Sequence, residues 1–137
     1  MDGEEALGSN FSTVYIVDDD GEVRDSLYAL LDSYGFRVEK YANGVEFTAR
    51  YRTDMQGCLL LDLHMPGISG MEVLRYLRQD VRTRLPVVIM TGGADKSAEE
   101  HVFAAGASAY VEKPFDSEAM MDLVKMLMCD RPLTIPA

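Results

Sequence analysis

The chain has 137 residues, 47% of them hydrophobic, and a formal net charge of −10 at pH 7. That length supports one compact core and is too short for two of ordinary size. The acidity opposes direct association with nucleic-acid phosphates or an anionic membrane surface, and no apolar run approaches the ~20 residues that span a bilayer.

Thr13 to Val17 predicts a first strand that stops at Asp18, Asp19 and Asp20. From Gly21 to Tyr34, the residues Val23, Leu27, Leu30, Leu31 and Tyr34 form one helical stripe, and Gly35 is placed to end it as a left-handed cap. Phe36 to Tyr41 predicts a second, more exposed strand; Asn43 with Glu46 then opens a short helix reaching about Arg52. Cys58 to Asp62 is a continuous apolar run closed by a carboxylate, the pattern of a central strand covered on both faces. Ser69-Gly70-Met71-Glu72 is a capping-box sequence whose helix continues through Leu74, Leu77 and Val81. Val87 to Thr91 is a fourth strand running into Gly92-Gly93. Ser97-Ala98-Glu99-Glu100 repeats the capping pattern, for a helix ending at Gly106. Ala109 to Glu112 is a short fifth strand before Lys113-Pro114-Phe115, and a last helix carries Met120, Leu123, Val124 and Leu127 ahead of Pro132 and Pro136.

Strands alternating with helices need right-handed crossovers, which gives an α/β domain over residues 13–129, with tails at 1–12 and 130–137. The N-terminal stretch is acidic and glycine-containing, unlike a secretory leader. Cys58 and Cys129 have neither a disulfide framework nor metal-ligand spacing, so a cytoplasmic, reducing location is expected. The nine methionines fall mostly at helical core spacing and read as packing.

Carboxylates at the ends of apolar strands are costly placements, because like charges meet at a partly enclosed rim. Asp18, Asp19 and Asp62 have that placement, while Asp20 suits the N-cap of the first helix. In a doubly wound sheet of order 2-1-3-4-5 the first and third strands are neighbours, and all three carboxylates converge at the crevice where ligands bind. A hard divalent cation with a preference for oxygen, magnesium above all, would relieve their repulsion.

The segments Ile16-Val17-Asp18-Asp19, Leu61-Asp62-Leu63-His64-Met65-Pro66-Gly67-Ile68-Ser69-Gly70, Met90-Thr91-Gly92-Gly93 and Tyr110-Val111-Glu112-Lys113-Pro114-Phe115 occur in that order. Together they resemble the receiver domain of a two-component response regulator, and the wording around Thr91 and Lys113 is most similar to receivers of the nitrogen-fixation regulator group. The resemblance implies a single five-stranded parallel sheet of order 2-1-3-4-5 with five helices, flavodoxin-like in fold. It implies that Asp62 accepts a phosphoryl group from a histidine kinase or histidine phosphotransfer protein. Asp19, Asp62 and the backbone carbonyl of His64 would hold Mg2+, with Asp18 acting through water. Thr91 and Lys113 would stabilise the phosphoryl oxygens, and Tyr110 would be the switch aromatic. The Lys113-Pro114 bond is expected to be cis.

The resemblance further implies a signalling receiver that catalyses only its own phosphorylation and dephosphorylation. Output would pass through the fourth helix, fifth strand and fifth helix, to a downstream protein or output domain or by homodimerisation on phosphorylation. The chain would be either a single-domain regulator or a receiver from a longer one, and would itself bind neither nucleic acid nor membrane. Two other readings compete. An aspartyl-phosphate phosphohydrolase would place a second aspartate where this chain has His64. A degenerate receiver would act as a constitutive interaction module, although every expected acceptor residue is present. An imidazole ligand at His64 is disfavoured by the all-oxygen character of the cluster.

Overall fold

The computed structural model describes residues 13–93 and 96–129. Within them the chain runs β1 (Thr13–Val17), α1 (Gly21–Ser33), β2 (Arg37–Tyr41), α2 (Gly44–Arg50), β3 (Cys58–Asp62), α3 (Gly70–Arg75), β4 (Val87–Thr91), α4 (Lys96–Ala104), β5 (Ala109–Glu112) and α5 (Ser117–Cys129). All strand pairs are parallel, in the order β2-β1-β3-β4-β5. The expected doubly wound sheet is therefore present.

Alternation along the strands divides the core in two. Tyr15, Val17, Leu59, Leu61, Val87 and Ile89 face one side, where they meet Phe47 of α2, Val73 and Leu74 of α3 and Val102 of α4. Val14, Ile16, Leu60, Val88 and Met90 face the other, against Leu27 and Leu31 of α1 and Met120, Met121 and Val124 of α5. Covering on both faces explains why β1, β3 and β4 lack polar alternation, and each buried Leu or Ile there contributes roughly 1.5–3 kcal/mol. Among the described residues the methionines pack against this core except Met126, which is exposed on α5.

Most local signals act as the sequence implies. Asp20 caps α1 by accepting from the Glu22 and Val23 amides. Asn43 caps α2, and Ser69 with Glu72 completes the capping box of α3. Gly35 takes φ +89°, with Phe36 N donating to Leu31 O at 3.1 Å to close a left-handed cap.

Four expectations change. Tyr34 leaves the apolar stripe of α1: it is an exposed cap residue whose ring lies under Lys125 Nζ, 4.9 Å from the centroid, because α1 has ended before the stripe returns to the core. Ser97 is not the N-cap of α4, since that helix already includes Lys96 and the capping position falls outside the described residues. β2 begins at Arg37 and α2 ends at Arg50, slightly inside the predicted bounds. The helix after Gly70 also widens into a π-helical turn over Tyr76–Asp80, with Val81 N donating to Tyr76 O at 3.0 Å. Arg82 then turns the chain with φ +60°. Tertiary bonds set this shape: Arg78 donates from Nε to Gly106 O at 3.0 Å and from Nη1 to Thr83 O at 2.9 Å. The tails at 1–12 and 130–137, with Pro132 and Pro136, lie outside the described residues, and no helix among the described ones is long and apolar enough to cross a membrane.

Candidate phosphoacceptor site

The register of the sheet brings the side chains singled out in the sequence to one rim. Val17 is paired with Leu61, so Asp18 and Asp62 leave neighbouring strands at the same level. Asp62 pairs with Met90, and Thr91 with Glu112, which sets Thr91 and Lys113 at the ends of the next two strands. Lys113 N donates to Thr91 O at 2.7 Å, and the Lys113-Pro114 bond is cis, as expected.

Asp18, Asp19 and Asp62 each present a carboxylate oxygen within 4.8 Å of the others. Asp18 is fully buried, Asp62 is 5% exposed, and Asp19 opens to solvent. Lys113 Nζ spans the two buried carboxylates, 2.9 Å from Asp18 Oδ2 and 3.4 Å from Asp62 Oδ1. Burial first, and then the Asp18 carboxylate, push the Asp62 pKa up from an ordinary 3.8 to about 6, against the downward pull of Lys113. Burial disfavours the Lys113 charge, but the hydrogen bond and charge of Asp18, joined by Asp62, outweigh it and leave its pKa raised. Three carboxylates thus face one ammonium. The excess negative charge, the all-oxygen donor set and its opening through Asp19 fit a hard divalent cation such as Mg2+.

Backbone packing holds the rim in place. Gly70 begins α3 directly against the end of β3: its amide donates to Leu63 O at 2.9 Å, and a Cβ there would lie 2.8 Å from Leu63 Cα and closer still to Asp62 O. Asp18 is held at every polar atom. Its amide donates to Tyr41 O, Oδ1 accepts from Asp20 N at 2.9 Å, and its carbonyl oxygen accepts from Arg24 Nη1 at 2.7 Å. Sequence reasoning missed Arg24 and the role of Gly70. The signals available were an arginine in the first turn after the acidic triplet and a glycine where a helix must touch a strand end.

Thr91 is buried and its Oγ1 accepts from Gly93 N at 3.2 Å. Tyr110 is half-buried in β5, paired with Ile89 and packed on the α3 and α4 side of the sheet. Thr91 follows Ile89 by two positions and so shares that face. His64 has an exposed side chain beyond β3 and does not join the carboxylate group; His101 is exposed on α4. A groove of about 460 Å³ adjoins the site, with Val23, Leu27, Leu30 and Phe115 among its walls and Asp20 and Lys113 at its rim.

The model of the response regulator receiver domain family matches residues 14–125. The chain belongs to that family. Among relatives, this receiver is 36% identical over 112 residues to the transcriptional regulatory protein FixJ of Azorhizobium caulinodans, covering 82% of this chain and 53% of that one. It is 34% identical over 122 residues to the C4-dicarboxylate transport transcriptional regulatory protein DctD of Pseudomonas aeruginosa, covering 89% of this chain and 26% of that one. The receiver therefore spans about half the length of the FixJ relative and about a quarter of DctD. The crystal structure of a CheY-like receiver domain protein from Methanospirillum hungatei superposes with a TM-score of 0.79 at 27% identity, covering 85% of this chain and 93% of that one. The FixJ match agrees with the resemblance to receivers of the nitrogen-fixation regulator group read from the sequence.

Proposed function

We propose that this receiver takes up a phosphoryl group on Asp62 from the phosphohistidine of a histidine kinase or phosphotransfer protein, in a magnesium-dependent step. The observation that carries the reading is the meeting of Asp18, Asp19 and Asp62 within 4.8 Å, with Lys113 Nζ between the two buried members. An Asp62 carboxylate oxygen attacks phosphorus, the bond to the donor nitrogen breaks, and a mixed anhydride is left on Asp62. Lys113 would neutralise an equatorial phosphoryl oxygen, and the Thr91 hydroxyl would donate to another. Asp19, Asp62 and the His64 carbonyl would hold magnesium, with Asp18 reached through water, and the bound ion would supply further positive charge to the phosphoryl oxygens.

On this reading the chain turns over only its own phosphoryl group. Its output leaves through α4, β5 and α5, where Phe103 and Met126 are exposed and Tyr110 is half-buried. Drawing Thr91 toward the phosphoryl group favours the state in which Tyr110 moves inward, a population shift that alters the surface offered to an output domain, a partner protein or a second copy. A cytoplasmic location, and the absence of direct nucleic-acid or membrane binding by this chain, belong to the same proposal.

The test is incubation with acetyl phosphate and Mg2+, followed by intact-mass measurement. One added phosphoryl group is expected, sensitive to hydroxylamine and absent in EDTA or in Asp62→Asn. Equal labelling of the Asp62→Asn variant would remove the assignment.

A further inference from the structure

Arg24 lies in the first turns of α1, where a positive charge is unfavourable against the helix dipole. Its guanidinium nonetheless folds back over the start of that helix, with Nη2 3.5 Å from where a Cβ on Gly21 would stand. Acidic side chains surround it in sequence at Glu22 and Asp25, yet among the described residues it forms no ion pair, and Asp25 pairs instead with Lys40 at 3.6 Å. Arg24 spends its charge on a backbone carbonyl, donating from Nη1 to Asp18 O at 2.7 Å. That length is typical of a strong charge-assisted hydrogen bond. Neither helix stability nor surface ion pairing accounts for this placement.

The carbonyl in question belongs to the peptide that joins Asp18 to Asp19. Because the peptide is planar, holding its oxygen also fixes the Asp19 amide and Cα, which narrows the directions its side chain can take. Asp18 is already fixed through its amide and both carboxylate oxygens. Asp19 is the exposed member of the cluster, so the orientation of its peptide is what Arg24 adds.

We infer that Arg24 is a positioning residue of the phosphoacceptor site, which orients the Asp19 carboxylate for the cation by pinning the Asp18 carbonyl. The inference rests on the magnesium-dependent reading above and assigns a new role within it. Outer-sphere groups that orient a ligand typically contribute about 10–100-fold to metal affinity. Coulomb attraction alone predicts the opposite sign, since deleting a nearby positive charge should tighten cation binding.

The experiment is calorimetric titration of the full chain with MgCl2, for the wild type and for Arg24→Met, beside metal-free melting curves and acetyl phosphate labelling rates across Mg2+ concentration. R24M is expected to weaken Mg2+ binding by about tenfold. The half-saturating Mg2+ for labelling should rise by the same factor, while the rate at saturating Mg2+ stays within about twofold of the wild type. A lower melting temperature with unchanged or tighter Mg2+ binding would mean a structural staple only, and would overturn the inference. If R24M melts below the assay temperature, Arg24→Gln takes its place; loss of the charge-assisted bond should still weaken binding by about threefold, and equal affinity would overturn the inference. Failure of the wild type itself to bind Mg2+ would sink the underlying phosphoacceptor reading.

Discussion

Replacing Asp62 by asparagine should make the metal-free protein more stable at neutral pH, although it removes the proposed acceptor. The folded state raises the Asp62 pKa from 3.8 to about 6 through burial and the Asp18 carboxylate. A carboxyl group whose folded pKa lies above its unfolded value favours folding while protonated, and that advantage is lost as pH rises from about 4 through 6. At ~1.4 kcal/mol per unit, a shift of about 2 units amounts to about 3 kcal/mol against the fold above pH 7. Asparagine carries no such burden but gives up the 3.4 Å contact with Lys113, so a net gain of roughly 1–2 kcal/mol is expected at pH 7.5 in EDTA. For a domain of this size that is about 3–8 °C in Tm. The gain should shrink as pH falls toward 4, where wild-type Asp62 is itself neutral in the fold. Mg2+ should close the gap and, at high excess, reverse it, because it stabilises the form that binds it by about 1.4 kcal/mol at tenfold excess over Kd and about 2.7 kcal/mol at a hundredfold. Thermal melts of both proteins at pH 4.5, 6 and 7.5, with EDTA and with Mg2+, read all of this. A metal-free Asp62→Asn variant that melts below the wild type at pH 7.5, or a difference that ignores pH, would refute the claimed crowding.

Further consequences are open to direct measurement. Gly70→Ala should lower stability by about 3 kcal/mol in urea denaturation, because its Cβ meets backbone of β3 on a side that cannot yield; a loss under about 1 kcal/mol would show that α3 can shift freely. Arg78→Met keeps the apolar stem but removes the bonds to Gly106 and Thr83 carbonyls, so a loss of about 2 kcal/mol is expected, with faster amide exchange around Ala107. Unchanged exchange there would deny Arg78 its anchoring role. Lys113→Met removes the cation that holds Asp62 down, so the Asp62 carboxyl, followed by carbon NMR without metal, should titrate above the wild type's value of about 6. Titration at or below the wild-type value would contradict that ordering of effects.

The strands were legible because β1, β3 and β4 are buried on both faces, which leaves an apolar run with nothing to mistake for a helix stripe. The site was legible for the same reason: a carboxylate or hydroxyl that closes such a run must emerge at the rim, as Asp62 and Thr91 do, and Lys113 joins them from the end of the half-buried β5. Features set by distant partners were hidden. Leu74, Leu77 and Val81 suit a continuous helix, and only the reach of Arg78 to the Gly106 turn reveals why the last turn widens. Tyr34 fits the stripe of α1 by spacing alone, yet the helix stops one residue short of it. Which carboxylate takes the shorter contact with Lys113, and the turn of Arg24 toward the Asp18 carbonyl, depend on side-chain directions that spacing does not encode.

The central claim is that the carboxylate rim makes Asp62, and no other residue, the group that is phosphorylated. Borohydride reduction of the labelled protein converts an aspartyl phosphate to homoserine, which peptide mass spectrometry can place in the sequence. Homoserine at position 62 in proportion to the added phosphoryl group is the predicted result. Homoserine at Asp18 or Asp19 instead, or phosphoryl uptake that leaves no homoserine at position 62, would contradict the account.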